Sequence, residues 1–328
     1  MSGLKSERSF EAARCVVTGG AGAIGSNLVE RLVEQGATVI VIDDYSSGRR
    51  DNLRPDTAIR VIEGSVVDDA SLDQAFAEPV HYVFHLATLF ANQNSVEHPE
   101  RDLAVNGLGT LKVLERARRC GVKRVVFSSS SCVYAPSNDP RRESAAHALD
   151  TPYAITKLLG EHYLAYYQAF HGVPTTVLRY FNSFGPKEYP GQYRNVIPNF
   201  VARAMRGEAL VITGTGSETR TFTYVDDIVR ATQLAALHPQ AVGEVFNIGA
   251  DREISIREVA EMIIAECESQ SELRYGERRS WDHVTRRRAD VSRAERVLGF
   301  RAEISFEDGL RRTVAWLGST LQSGASSG

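Results

Sequence analysis

One octapeptide constrains this chain more than any other part of it: Thr18-Gly19-Gly20-Ala21-Gly22-Ala23-Ile24-Gly25. It follows the apolar run Cys15–Thr18 and opens a stretch of helical periodicity, Ile24–Gln35. Gly19, Gly22 and Gly25 form a G-x-x-G-x-x-G turn. Its missing side chains let backbone amides and the helix N-terminus approach a diphosphate. A glycine triplet alone also suits an ordinary tight turn. The deciding addition is Asp43, which closes the next apolar run, Val39–Ile42. A carboxylate there accepts hydrogen bonds from an adenosine ribose and repels a 2′-phosphate. Together they predict a dinucleotide site, with NAD favoured over NADP; Arg49 and Arg50 nearby pull the other way.

Five further short runs follow: Arg60–Ile62, Tyr82–Leu86, Val125–Ser128, Thr175–Leu178 and Val245–Ile248. Most are continuously apolar rather than alternating, as parallel strands covered on both faces are. Stretches of helical length, Arg101–Arg119 and Tyr153–Phe170, lie between them. Strand then helix, repeated, predicts an α/β fold: a doubly wound parallel sheet (Rossmann) with a smaller mixed α/β domain. The first domain is expected over residues 1–180. The strand and helix of Thr221–Leu237 and the strand Val245–Ile248 return to it, so residues 220–249 belong with it. Gly185-Pro186, Pro190-Gly191 and Pro198 break up the chain after Arg179, and Thr213–Thr219 is turn-rich. The second domain is therefore expected from two pieces, 181–219 and 250–318, with helices at Ser255–Glu266 and Phe306–Trp316. The small, polar tail 319–328 is expected to be mobile.

Composition removes other classes. A chain of 328 residues with 43% hydrophobic and 24% charged residues suits about two ordinary globular domains. A net charge of -3 without blocks of one sign argues against a nucleic-acid surface. No apolar run approaches the ~20 residues of a membrane helix, and Met1–Arg14 is too polar for a leader or anchor. Cys15, Cys120, Cys132 and Cys267 are scattered without a C-x-x-C pair, which predicts no bound metal and a cytoplasmic location.

The second chemical signal is Tyr153-Ala154-Ile155-Thr156-Lys157. A spacing of four puts the phenol and the ammonium on one helical face, where the cation favours the phenolate. Such a pair also arises by chance on any amphipathic helix. It gains meaning from Ser128-Ser129-Ser130-Ser131, which ends a strand at the carboxyl edge where such sheets bind ligands.

Further motifs fall in a familiar order: His85-Leu86-Ala87, Asn106-Gly107-Leu108-Gly109-Thr110, Ser128 to Tyr134, Arg179-Tyr180-Phe181-Asn182, and Arg220-Thr221-Phe222-Thr223-Tyr224-Val225 with Asp227. With these, the chain from Arg14 to Trp316 resembles the extended short-chain dehydrogenase/reductase family, in its group of NAD-dependent nucleotide-sugar epimerases and dehydratases, and most of all UDP-sugar 4-epimerases. The resemblance implies NAD in the first domain, a nucleoside diphosphate sugar in the second (a UDP-sugar above others), and a homodimer through the two long helices. It implies Tyr153 as acid/base, Lys157 as the group that lowers its pKa and binds the nicotinamide ribose, and Ser130 as a hydrogen-bond partner of the reacting sugar oxygen. The cofactor would be lined by Gly19, Gly22, Ala23, Ile24, Gly25, Asp43, Ser65, Val66, Leu86, Ala87, Asn106, Ser128, Tyr153, Lys157 and Tyr180. The substrate would meet Ser95, Ser130, Ser131, Cys132, Asn182, Asn195, Val196, Arg220, Arg279, Asp282 and Arg287. His85 is expected to position backbone, and His81, His147, His162, His171 and His283 to be ordinary surface or core residues.

Departures narrow the reading. Sugar 4,6-dehydratases of this group carry an Asp-Glu pair after the active-site hydroxyl, and its decarboxylases a Glu; here Ser131 and Cys132 stand there. A 4-epimerase needs no such acid. Cys132 raises a rival, a 3,5-epimerase with a catalytic cysteine, but that group's partner lysine is missing and Val196 stands closest. A reductase on the same scaffold is a further rival, and so is a non-catalytic dinucleotide sensor, which the retained Tyr153, Lys157 and Ser130 oppose. Ser65 replaces an Asp usual near the adenine, and Phe90 a lysine found in some members. Arg286, Arg287 and Arg288 border the expected sugar pocket, so an acidic sugar is a candidate substrate, contacted by Arg287, with Lys187 a second candidate. The plainer reading has these arginines on the diphosphate or in water.

Overall fold

The computed structural model describes residues 10–279, 282 and 284–325. Most of the polar lead Met1–Arg14, His283 and the end of the tail 319–328 lie outside the described residues. All seven runs read from the sequence form one parallel sheet, each within two residues of its expected ends. Across the sheet the order is Glu244–Ile248, Thr175–Tyr180, Arg124–Ser130, Tyr82–His85, Arg14–Thr18, Thr38–Asp43 and Ile59–Glu63. The strand order reverses beside Arg14–Thr18, and the Gly19 turn stands there at the carboxyl ends.

Both faces of the sheet are covered, which is why its strands carry unbroken apolar runs. Val17, Val39, Val41 and Phe84 pack on one face, against the helix Ala23–Glu34 and residues from beyond Ile197. Their strand neighbours Val16, Ile40, Ile42 and Val83 pack on the other, with Phe127 and Val113. The helix Pro152–His171 starts on a capping Thr151, whose Oγ1 accepts from Ala154 N at 3.3 Å, with Pro152 in its first turn. It stops at Gly172, in the left-handed region at φ 66°. Its buried stripe holds Tyr153, Lys157, Gly160, Glu161 and Leu164. Three polar groups on an inward face are costly to bury unless each finds a partner.

The helix expected over Arg101–Arg119 is interrupted. Pro99–Asp102 passes through a π-helical segment, Leu103–Leu108, before the regular helix Gly109–Cys120. Such wide turns gather at functional sites, and this one carries Asn106. After Tyr180 the chain builds three small sheets: Ser183–Phe184 with Thr223–Tyr224, Leu210–Thr213 with Leu273–Gly276, and Thr219–Thr221 between Glu253–Ser255 and Arg286–Arg287. The helices Val196–Met205 and Ile256–Glu266 cover this region; Ser255 and Glu258 form a capping box at the second. The last helix, Phe306–Ala325, runs past the expected end at Trp316.

Candidate active site

A cavity of about 630 Å³ runs from the Gly19 turn, past the end of strand Arg124–Ser130, to the small sheet at Arg220. At its first end, Gly19 adopts φ +70°, and a Cβ there would lie 2.8 Å from Ala87 N. A Cβ on Gly25 would lie 2.1 Å from Gly19 O. The turn is thus a cradle shaped by absent side chains. Asp43 is buried at its rim; its Oδ2 accepts from Ala21 N at 2.8 Å and its Oδ1 from Tyr45 N at 2.9 Å. Burial raises the Asp43 pKa, and these two amides oppose that. Arg49 is paired with Asp51 at 2.8 Å and Arg50 with Glu63, and neither lines the cavity. The two arginines that spoke for NADP are therefore turned away, and the residues present fit NAD.

Gly22, Ala23, Ile24, Ser65, Val66, Leu86, Ala87, Ser128 and Tyr180 line the same wall. Asn106 lies behind it. Its Oδ1 accepts from Leu89 N at 2.8 Å and from Thr88 Oγ1 at 2.9 Å, so it shapes the cavity through the Thr88–Leu89 backbone. His85 is buried between Thr18 Oγ1 at 2.7 Å and Thr110 Oγ1 at 2.9 Å. Burial, then the nearby Lys157 charge, pushes it down to about 3, leaving a neutral ring that braces Thr18.

The reaction end is built on two elements. Strand Arg124–Ser130 presents Ser128 and Ser130, and the first turns of helix Pro152–His171 present Tyr153 and Lys157. Lys157 Nζ donates to Ser128 O at 2.8 Å and lies 5.6 Å from the Tyr153 ring centroid. Lys157 is buried behind the cavity wall, whereas Tyr153, Ser130, Ser131 and Cys132 are on it. Burial raises the Tyr153 phenol above its ordinary value, while its hydrogen bond with Ser130 acts in the opposite direction. Ser130 Oγ also accepts from Cys132 N at 3.1 Å. Ser129 points the other way, to Glu161, whose carboxylate is paired with Arg179 at 2.6 Å.

Ser95 requires a correction. It was expected against substrate, but it is fully buried and off the cavity wall; its Oγ accepts from Tyr153 N at 3.1 Å and donates to Asn92 O at 2.7 Å. It supports the catalytic candidate from beneath. Thr88 and Asp102 were missed. Asp102, buried, accepts from Thr156 Oγ1 and Asn106 Nδ2, each at 2.7 Å. Burial pushes Lys157 down to about 8, and the Asp102 charge is the largest influence raising it. Only a charged Lys157 would favour a Tyr153 phenolate, and lowering its pKa further makes it lose its proton at lower pH. Asp102→Asn is therefore expected to move the alkaline limb of the pH–kcat profile toward neutrality, and because the Asp102 charge also raises the Tyr153 phenol, the acid limb should move down as well. An unmoved alkaline limb would rule out this role.

At the far end, Asn182, Asn195, Val196, Arg220, Arg279, Asp282 and Arg287 line the cavity. Asn182 sits at φ +38° and its Nδ2 donates to Thr221 O at 2.8 Å. Asn195 begins helix Val196–Met205, and its Nδ2 donates to Glu188 Oε1 at 2.8 Å. Glu188, missed in the sequence, is a buried cavity-wall acid pushed up to about 7 by burial. Arg220 donates to Val284 O at 3.0 Å and Thr219 O at 2.8 Å, with Asp282 at 3.7 Å. Arg287 Nη1 donates to Cys132 Sγ at 3.4 Å. Lys187 is a second correction: it is paired with Glu30 at 2.8 Å and does not line the cavity. Among the described residues no cluster of three metal-ligating side chains occurs, and no helix is long and apolar enough to cross a membrane.

The model of the NAD dependent epimerase/dehydratase family matches residues 15–249, from the strand before the glycine turn to the end of the sheet. The chain belongs to that family. An epimerase of Methanothermobacter thermautotrophicus has the same fold with a TM-score of 0.95 and 44% identity, over 98% of this chain and 96% of that one. UDP-glucose 4-epimerase of Thermotoga maritima, solved with UDP-glucose, has a TM-score of 0.90 and 35% identity over 94% and 99%. UDP-N-acetyl-alpha-D-glucosaminuronate decarboxylase of Bacillus cytotoxicus is 35% identical over 92% of this chain and 97% of its own length. As a member of the NAD dependent epimerase/dehydratase family, this chain is an NAD-dependent enzyme that modifies nucleotide sugars.

Proposed function

We propose that the chain is a 4-epimerase of nucleoside diphosphate sugars, with a UDP-sugar as substrate. One observation carries this reading. Tyr153 and Ser130 share a cavity wall with Lys157 behind them, and the positions after Ser130 hold Ser131 and Cys132 rather than acids. That is enough to move a proton on and off a sugar hydroxyl, and it offers no carboxylic acid there for eliminating water. NAD, held by the Gly19 turn and Asp43, supplies the hydride acceptor and donor. Tyr153 takes the proton from the hydroxyl on carbon 4, while Ser130 holds that oxygen and the Lys157 charge favours the phenolate. Once the sugar has turned about its diphosphate, Tyr153 returns the proton on the opposite configuration. Arg220, Arg279 and the amides at Asn195–Val196 suit the diphosphate.

In this reading residues 1–180 with 220–249 hold the cofactor, and 181–219 with 250–318 hold the nucleotide sugar. The π-helical segment Leu103–Leu108 exposes Leu103 and Leu108, the helix Pro152–His171 exposes Ile155, Tyr166 and Phe170, the last at 74%, and these apolar groups fit a homodimer interface. The test is incubation with UDP-sugars in deuterated water, followed by proton NMR. Interconversion of 4-epimers without deuterium on carbon is expected. Deuterium at carbons 3 and 5 would move the assignment to a 3,5-epimerase using Cys132. A UDP-pentose formed with loss of carbon dioxide would move it to a decarboxylase, as in the Bacillus cytotoxicus relative.

A further inference from the structure

Arg287 is a half-buried guanidinium on the cavity wall that donates to a thiol, Cys132 Sγ at 3.4 Å. Among the described residues no carboxylate pairs with it, whereas its chain neighbour Arg286 grips Glu253 twice, at 3.0 and 2.6 Å. Arg220, its register partner across the paired strands, is tied to backbone carbonyls and stands near Asp282. Arg141 lies close enough to feel the Arg287 charge, and Arg220 feels it too. A fork of donors without an anion, in a locally positive part of a cavity, is arranged to receive one.

Sugar chemistry says which anion. Carbon 1, which bears the diphosphate, and carbon 4, which Tyr153 and Ser130 address, lie at opposite ends of a hexopyranose ring. Arg287 reaches Cys132, whose own amide bonds Ser130 Oγ at 3.1 Å, so it stands at the carbon 4 end. The groups within its reach are those on carbons 3 and 5. We propose that Arg287 selects sugars carrying a carboxylate on a substituent next to carbon 4, an inference that rests on the 4-epimerase reading above. The acid is either a uronate, on carbon 5, or an acidic ether on oxygen 3.

The test is equilibrium titration of the NAD-loaded protein with UDP, UDP-glucose, UDP-glucuronate and UDP-N-acetylmuramate. A charge-assisted bidentate pair is expected to make one of the two acids bind about ten- to a hundredfold tighter than UDP-glucose. The preferred acid tells which flanking carbon is read. Arg287→Gln should collapse that ratio, and Arg287→Lys, which keeps the charge without the fork, should reduce it partway. Two results overturn the proposal: wild-type protein that binds neither acid better than UDP-glucose, or an Arg287→Gln variant that loses UDP in the same proportion as the acids, which would make Arg287 a diphosphate ligand. Should the glutamine variant fail to fold, the wild-type preference and the lysine variant decide. Binding is read without turnover, so a failed epimerisation assay and a failed Arg287 proposal remain distinct.

Discussion

Tyr153→Phe is expected to lower epimerisation by about 10²–10⁴-fold, the range for removing a positioned acid/base, while leaving NAD content and folding nearly intact. The ring stays, so its edge-on packing with Phe90, centroids 6.1 Å apart, survives. The hydroxyl's neighbours are not stranded: Thr88 Oγ1 still donates to Asn106 Oδ1 and Ser130 Oγ still accepts from Cys132 N. The cost to stability is therefore about 1 kcal/mol or less, one hydrogen bond with its partners re-satisfied. A thermal melt, a count of bound dinucleotide and an NMR rate separate the three effects. Near-normal turnover with the phenylalanine would remove Tyr153 from the chemistry.

Gly25→Ala is expected to cost as much by a different route. The new methyl group meets Gly19 O at 2.1 Å and Gly20 Cα at 2.8 Å, both backbone, with no flexible side chain to yield. Either the helix Ala23–Glu34 shifts or the turn opens. Overpacking of this kind costs about 1–3 kcal/mol, and a displacement of about 1 Å at a binding loop is enough for a hundredfold loss of activity. Gly318→Ala, in the last helix and away from the cavity, is the internal control. Its methyl would lie 3.4 Å from Met205 Cε, an ordinary contact with the flexible end of a side chain. NAD released from the purified variants, weighed against wild type, should be lost in Gly25→Ala and kept in Gly318→Ala. Equal retention in both would mean that the turn does not cradle the diphosphate.

The main sheet was legible because its strands are buried on both faces, and such strands announce themselves as unbroken runs of Val, Ile and Phe. The glycine turn and Asp43 were legible because backbone approach to a phosphate restricts residue type directly. The small strands were not. Arg286–Arg287 and Thr223–Tyr224 are two residues long and exist because tertiary packing places them beside Thr219–Thr221 and Ser183–Phe184. Ser95 and Lys187 were misplaced for a related reason. A motif position says which residue is near a site, while its burial against Tyr153 N or its capture by Glu30 depends on partners distant in the chain. Asp102, Thr88 and Glu188 carry no local pattern at all, and only the fold brings Asp102 to Thr156 across 54 positions.

The sheet's outermost strand, Glu244–Ile248, pairs with Thr175–Tyr180 but is made sixty-eight residues later, counting from Tyr180 to Ile248. On the ribosome, Thr175–Tyr180 therefore emerges with one side of its backbone unpaired. At about 5–20 residues per second, its partner follows roughly 3–14 s later. During that interval a flat run of strand amides and carbonyls is open to any other nascent chain. The buried Arg124 side chain, which donates to Thr176 Oγ1 at 3.0 Å and Ala235 O at 2.8 Å, also has to wait for the later segment. Until Glu244–Ile248 is made, the growing sheet has an open edge at Thr175–Tyr180, and the order of synthesis rather than the finished fold sets how long that edge stays bare.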